Sequence, residues 1–166
     1  MVIYPLRARV GGVQGLSIFA VRLLEALFLW AKSGPSSRAR GAAALVLDER
    51  GRVLLVRHGY QPGWRLPGGG IGRGETAEAA VRRELAEELD LKGGHVTLLG
   101  RYSSRILWVD QFVTLFRVEG AAIAFRPGWE IREILWADPA VPPPGASPAT
   151  ARRLAELRGA PVTERW

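Results

Sequence analysis

The sequence predicts an α/β protein in which a sheet is covered by helices on both faces. Strand-like runs rich in Val, Ile and Leu are mixed with helical runs near the start, middle and end of the chain. The 166 residues suffice for one substantial core but are too few for two ordinary domains. Apolar residues make up 48% of the chain and charged residues 23%, which is typical of a folded protein.

The first predicted element is a helix in the apolar run at residues 16–31. Apolar residues recur there at helical spacing, while Arg22 and Glu25 interrupt the run. The run is also shorter than the ~20 residues that a membrane-spanning helix needs. We expect it to pack on the protein or to form a homodimer contact, with peripheral membrane attachment as the alternative. Residues 1–40 are therefore interpreted as a helical extension, and residues 41–166 as the main domain.

The next segment contains two strands and a long irregular loop. Residues 41–47 and 52–57 have the apolar, β-branched composition of buried strands, and residues 48–51 form a turn between them. Residues 58–74 follow with seven glycines and two prolines, so we expect irregular structure there.

A central helix is predicted to begin after Thr76, as its N-cap, and to end near Asp90. Its apolar face consists of Ala77, Ala80, Val81, Leu85 and Leu89. Later strands are predicted at residues 96–99, 106–109, 112–118 and 134–136. A last helix has Ser147 as its N-cap and Pro148 in its first turn.

The charge of the chain favours anionic ligands. Lys and Arg number 23 against 16 Asp and Glu, for a formal net charge of +7. Such a surface attracts phosphates, nucleic acid and acidic lipid. The basic residues are scattered, and neither zinc-finger spacing nor an RNA-binding aromatic motif accompanies them. This pattern argues against nucleic acid as the principal ligand.

Cysteine is absent and histidine is rare, with two residues in the chain. The fold therefore forms without disulfides, which is compatible with the cytoplasm, where we expect the protein to reside. This composition offers too few Cys and His side chains to favour a zinc site or a Cys–His mechanism.

Three closely spaced carboxylates follow the glycine-rich loop. Glu84 and Glu88 lie four residues apart on one helix face, and Glu87 borders that face. Their mutual repulsion destabilises the helix unless a cation compensates. Mg²⁺ suits this arrangement because it takes one or two carboxylates, keeps several waters and binds substrate phosphate oxygens. The alternative is a solvated acidic helix face without a ligand.

The glycine-rich loop itself favours a phosphate ligand. Glycines let the backbone approach a phosphate and present N–H groups to it. Seven of them in seventeen residues cost too much chain entropy for an incidental connection. Arg83, beside Glu84, is placed to orient a carboxylate or to contact phosphate with its planar guanidinium.

One run of this region resembles the Nudix box. The matching pattern is Gly69-x5-Glu75-x7-Arg83-Glu84-Leu85-x-Glu87-Glu88-x-Asp90-Leu91. It departs from the family at Asp90, where the family expects a glycine that ends the helix in a left-handed conformation, which Asp tolerates better than most residues. Residues 51–57, 64–70 and 130–136 resemble the flanking strands and loop, so the resemblance covers roughly residues 41–140.

The resemblance implies an α/β/α sandwich around a mixed sheet. It also implies Mg²⁺-dependent hydrolysis, with Mn²⁺ as a substitute, of a nucleoside diphosphate linked to another group, by attack of metal-activated water on phosphorus. Glu84, Glu87 and Glu88 would be the metal ligands, with Glu84 also a candidate base. Many members use a further acid outside the box, for which we select Glu130, whose alternative interpretation is an exposed loop carboxylate.

The substrate-binding residues are expected in and beside the glycine-rich loop. Gly69 and Gly70 are assigned to phosphate binding, and Arg65 is included with them. Aromatic side chains could stack weakly on a nucleobase, although core or surface packing is the alternative for each tryptophan. The available aromatic residues are Tyr60, Trp64, Trp108 and Trp129.

A second function class is a non-catalytic module that keeps this fold to sense a nucleotide or a phosphorylated metabolite. Loss of a box carboxylate would favour it, and the sequence retains all four. A third class is an interaction protein that uses the N-terminal helix. We expect a small nucleotide-type substrate, whose identity depends on loops that the family pattern does not fix.

Overall fold

The computed structural model describes residues 38–166, so the predicted helix at residues 16–31 lies outside the described residues. The elements, in chain order, are β1 (Arg38–Leu47), β2 (Val53–His58), β3 (Gly68–Gly70), α1 (Ala77–Leu89), β4 (Lys92–Ile106), β5 (Val109–Ala122), β6 (Ile131–Ala137) and α2 (Pro148–Leu157). Within residues 38–166, neither helix has the length and apolarity needed to cross a bilayer.

The strands form a mixed sheet with the order β4-β5-β1-β2-β6, and β3 also pairs with β1. The central strand β1 runs parallel to β5 along its whole length, from Arg38 opposite Asp110 to Leu47 opposite Glu119. The other strand pairs are antiparallel. β1 pairs with β2 only at Leu47 and Val53, on either side of the predicted turn. The two strands therefore share a single pair of facing residues.

Both faces of the sheet are covered, because alternate residues of the central strands point to opposite sides. On one face, β1 and β2 pack against α1, in a core that contains Ala42, Ala44, Val46, Leu54, Val56, Val81, Leu85 and Leu89. On the other face the same strands pack against α2, in a core that contains Ala43, Leu45, Leu47, Val53, Leu55, Leu66 and Leu154. The predicted sandwich of helix, sheet and helix is confirmed.

The two helices begin where the sequence predicts them. Thr76 Oγ1 accepts a hydrogen bond from the backbone N–H of Ala79 at 3.1 Å, and Ser147 Oγ accepts one from Thr150 at 3.1 Å. α1 ends at Asp90, which has φ 46° and ψ 40° and so takes the left-handed conformation. Asp therefore occupies the conformation for which the Nudix box provides a glycine.

The predicted strand at residues 106–109 is wrong. β4 and β5 form one long hairpin, and its turn lies at Leu107 and Trp108, where Leu107 has φ 54°. The apolar residues on either side of this turn have strand composition, which conceals the reversal of the chain.

The strand β3 was also missed, since glycine has low strand propensity. It pairs with Gly41–Ala43 of β1, inside the segment predicted to be irregular.

Candidate active site

A cavity of about 810 Å³ lies where β1, β3, the β4–β5 hairpin, α1 and the start of α2 come together. Most of the predicted site residues line it, although they come from four separate parts of the chain. They are Tyr60, Arg65, Gly69, Gly70, Glu84, Glu88 and Glu130.

Glu84 is the most enclosed of the acidic residues in the cavity, with 8% of its surface exposed. Its carboxylate lies directly against the backbone of Gly69, and a Cβ atom at Gly69 would overlap the carboxylate carbon and both oxygens. Only glycine allows this approach. The glycine predicted to bind phosphate therefore also makes room for a carboxylate.

Glu88 projects from α1 one turn after Glu84 and is fixed to the same short strand. Its Oε2 accepts a hydrogen bond from the backbone N–H of Gly68 at 3.1 Å. Because β3 pairs with the central strand β1, the two carboxylates are held against the rigid middle of the sheet. The two carboxylates therefore lie on a helix and contact a strand, rather than being carried by a loop.

Arg83 connects the glycine-rich loop to the carboxylates. Its Nε and Nη2 donate to the two oxygens of Glu75, at 2.9 and 3.1 Å. Its Nη1 donates to Glu84 at 2.9 Å and to Glu87 at 3.2 Å, and Nη2 also reaches the carbonyl of Gly70 at 3.1 Å. One guanidinium group therefore offsets the repulsion among three carboxylates.

Glu75 acts as a structural link in this network. Besides Arg83, the backbone N–H of Gly72 donates to Glu75 Oε2 at 2.8 Å. The hydrogen bond from Arg83, followed by that from Gly72, holds the pKa of Glu75 below its ordinary value. Glu75 therefore stays ionised and ties the loop to α1.

Tyr60 and Glu130 lie together on another side of the cavity. The Tyr60 hydroxyl donates to Glu130 Oε1 at 3.3 Å. Burial, and then the negative charges of Glu130, Glu88 and Glu84, raise the pKa of Tyr60 above its ordinary value. The Tyr60 hydroxyl therefore stays protonated and donates a hydrogen bond. The negative charges of all three cavity carboxylates favour this protonated state.

Three predicted site residues do not line the cavity. Arg83 instead contacts the Glu84 carboxylate. Glu87 is exposed, contacts Arg83 and does not line the cavity. Among residues 38–166, no three His, Asp or Glu side chains are close enough to form a metal-binding group. Trp64 is only 7% exposed and packs in the core on the α2 face, where the guanidinium of Arg57 lies 4.3 Å from its ring centroid. Core packing, the alternative for Trp64, is what the structure shows.

The remaining donor set fits a hard divalent cation. Glu84 and Glu88 supply carboxylate oxygens to one cavity, and cysteine is absent from the chain. Mg²⁺ accepts one or two carboxylates and fills its other positions with water and phosphate oxygens. Two carboxylates beside an open cavity match that preference.

Several cavity residues were missed by the sequence analysis. Besides Arg65, which was predicted, six further arginines line the cavity: Arg38, Arg40, Arg73, Arg105, Arg152 and Arg165. These seven face three glutamates, so the cavity as a whole attracts polyanions. Ser104, Gln111 and Trp166 line it as well. The arginines are scattered in the sequence, and only the sheet order brings them together.

Comparison with known proteins relates the chain and its fold to one family. The model of the NUDIX domain matches residues 37–157. A putative 8-oxo-dGTP diphosphatase of Bacillus subtilis is 29% identical over 72% of this chain and 79% of its own length. An RNA pyrophosphohydrolase of Shewanella sp. (strain MR-7) is 44% identical, over 33% of this chain and 32% of its own.

The solved structures agree with the fold. A MutT NUDIX hydrolase from Burkholderia pseudomallei superposes with a TM-score of 0.65 at 23% identity, covering 72% of this chain and 98% of that one. At this identity the likeness concerns the fold alone.

Proposed function

Since the chain belongs to the Nudix family of hydrolases, we propose that it cleaves a diphosphate linkage in a nucleoside diphosphate attached to another group, with Mg²⁺ as cofactor. The observation that carries this proposal is the cavity in which Glu84 and Glu88 lie beside the glycine strand β3. The surplus of arginine around these carboxylates supports a substrate rich in phosphate.

Glu84 and Glu88 would hold the cation, with Glu87 as a further ligand that reaches it after a change of side-chain conformation. Bound there, Mg²⁺ supplies charge neutralisation at the phosphate oxygens and acidifies a water. Arg83 and Gly69 contribute before the cation binds, because they fix the position of the Glu84 carboxylate. Such pre-organisation lowers the cost of reaching the transition state.

Hydrolysis adds one water across a P–O–P linkage, breaks one P–O bond and releases two phosphate-bearing products. A proton must leave the attacking water, and a carboxylate within the cavity can accept it. Glu84 and Glu130 are the two candidates that we propose. Tyr60 positions Glu130 by donating a hydrogen bond to it.

The names of the relatives suggest which substrates to test first. They point to 8-oxo-dGTP and to RNA that carries a diphosphate linkage. Ordinary nucleoside triphosphates, nucleotide sugars, dinucleoside polyphosphates and ADP-ribose complete a panel to be tested with Mg²⁺ and with Mn²⁺. Products should be identified by mass spectrometry in ¹⁸O-labelled water.

We expect the label in a product of diphosphate cleavage, and little activity on phosphate monoesters. Label that appears only in inorganic phosphate released from simple monoesters would show that the assignment is wrong. Tight binding of one panel member without turnover, in either metal, would instead favour the sensing module.

We also propose a helical extension followed by a hydrolase domain located in the cytoplasm, predicted at residues 1–40 and 41–166. Because β1 begins at Arg38, residues 38–40 belong to the domain side of this boundary. A shortened chain beginning at Ser36 should fold and keep turnover. A folded but inactive shortened chain would contradict this division.

Sedimentation of the full and shortened chains tests whether the extension provides a homodimer contact. A lower mass of the shortened assembly would support such a contact.

A further inference from the structure

The last residues of the chain form one wall of the same cavity. After α2 the chain returns to the outer edge of β4, where the N–H of Ser103 donates to the carbonyl of Glu164 at 2.9 Å. The N–H of Trp166 donates to the carbonyl of Ser103 at 2.8 Å. This short parallel bridge adds the tail to the sheet beside its edge strand.

Two arginines of α2 fix this tail. Arg153 is 1% exposed, and its Nη2 donates to the carbonyl of Arg165 at 3.1 Å and to Thr163 Oγ1 at 3.0 Å. Arg152 donates to the carbonyl of Trp166. Main-chain atoms on both sides of the last bridge are therefore held in place, which gives Trp166 a defined position.

The tail and the glycine-rich loop lie at the same level of the sheet. Arg165 is bridged to Ser103, Ser103 faces Phe112, Phe112 faces Arg40, and the carbonyl of Arg40 accepts from the N–H of Ile71. This row contains four steps between neighbouring strands, so its ends are roughly 19 Å apart at the usual strand spacing. A bare diphosphate held at the carboxylates is too short to extend along this row to the tail.

Trp166 offers an aromatic surface at the far end of the cavity. Its ring is partly buried, lines the cavity and packs against Tyr102, with ring centroids 6.0 Å apart. Ser104 and Gln111 also line the cavity on this face of the sheet, and the Ser104 hydroxyl donates to Gln111 Oε1 at 3.0 Å. That bond leaves the Gln111 amide group with N–H donors for a ligand.

We propose that Trp166 forms the nucleobase subsite of the enzyme, so that a nucleotide extends from the carboxylates of α1, over Ser104 and Gln111, to the tail. This inference rests on the proposed function, because it assumes a diphosphate beside Glu84 and Glu88. Trp166 would favour nucleotides over bare polyphosphates by stacking on the base, and Arg153 would be a positioning residue that acts through the tail.

Binding of ATP, GTP and inorganic triphosphate to the full chain in Mg²⁺, measured by calorimetry, tests the proposal. We expect Trp166→Ala to weaken both nucleotides by about ten- to a hundredfold, as loss of base stacking does. The same variant should bind inorganic triphosphate within about twofold of the original protein. Trp166→Phe, which keeps an aromatic ring, should retain most of the affinity for nucleotides.

Phe112→Ala is the matched control. Phe112 is an exposed aromatic residue next to Gln111 in β5, and it points to the opposite face of the sheet. Its replacement should leave the affinity for all three ligands unchanged. The proposal is overturned if Trp166→Ala binds nucleotides normally, if it weakens triphosphate as much as the nucleotides, or if the original protein binds no nucleotide. If the original protein binds nucleotides but does not hydrolyse them, and Trp166→Ala still weakens that binding, the proposed hydrolysis is refuted while the subsite is supported.

Discussion

Gly69 and Glu84 show how a single hydrogen atom in place of a side chain shapes the site. The carboxylate of Glu84 occupies the space that a Cβ atom at residue 69 would take. The neighbouring Gly70 has no atom within 4 Å of such a position. Two adjacent glycines in the same strand therefore differ sharply in what they contribute.

We expect Gly69→Ala to lower turnover by about a hundredfold, because the carboxylate or the strand must shift by the order of an ångström. Gly70→Ala, with room for the added methyl group, should lose much less activity. Steady-state kinetics of both variants would test this difference. Equal losses would indicate that the loop needs glycine for another reason.

Replacing Glu84 or Glu88 by Gln removes one charge from the cavity and nearly preserves its shape. For each variant we expect turnover to fall by about a hundredfold or more. The rise in melting temperature on addition of Mg²⁺ should also shrink, because binding to the folded state is weakened. Glu78→Gln is the control, since Glu78 is an exposed residue in the first turn of the same helix that pairs with Arg82. If either cavity variant keeps normal turnover and metal response, that residue is not part of the site.

At the scale of the element, α1 illustrates how far local sequence determines structure. Its cap at Thr76, its apolar face and its end at Asp90 depend on residues within the helix or next to it, and all were predicted. The turn at Leu107 is also local but was missed, because the residues on either side of it have strand composition. The strand β3 was missed because it depends on a distant partner, β1. Local pattern carries no information about pairing between strands far apart in the chain.

The end of α1 gives a test of stability. Asp90 holds a left-handed conformation that glycine adopts without steric cost. We expect Asp90→Gly to raise the free energy of unfolding by ~0.5–1 kcal/mol, and Asp90→Ala to lower it by ~1 kcal/mol. Urea unfolding of the two variants would measure both changes. A glycine variant less stable than the original protein would contradict this account of the cap.

At the scale of the whole molecule, the buried Arg153 joins α2, the tail and β4. Its Nη2 lies 2.6 Å from Glu156 Oε1, and its guanidinium carbon lies 3.9 Å from the ring centroid of Tyr102. From the sequence alone, neither Arg153 nor Trp166 could be assigned a role, because an isolated arginine in a helix ordinarily faces solvent. The Glu84 region, by contrast, was predicted from a motif contained in 23 residues.

We expect Arg153→Met to lower the free energy of unfolding by about 3 kcal/mol, because it leaves the partly buried Glu156 without its cation and releases the tail. Arg158→Met, at the exposed end of α2, should change stability by less than ~0.5 kcal/mol. Denaturant titrations of both variants would measure the difference. Comparable small effects would mean that the packing of the tail does not depend on this arginine.

The parallel pairing of β1 with β5 has a consequence for how the chain acquires its fold. Arg38 pairs with Asp110 and Leu47 with Glu119, so β1 must wait for most of the chain before its principal partner is present. The β4–β5 hairpin contains only local contacts and can form early, whereas pairing with β1 requires closure of a long loop. Until then the apolar β1 presents unpaired edges, and this interval of synthesis is when the protein is most exposed to aggregation.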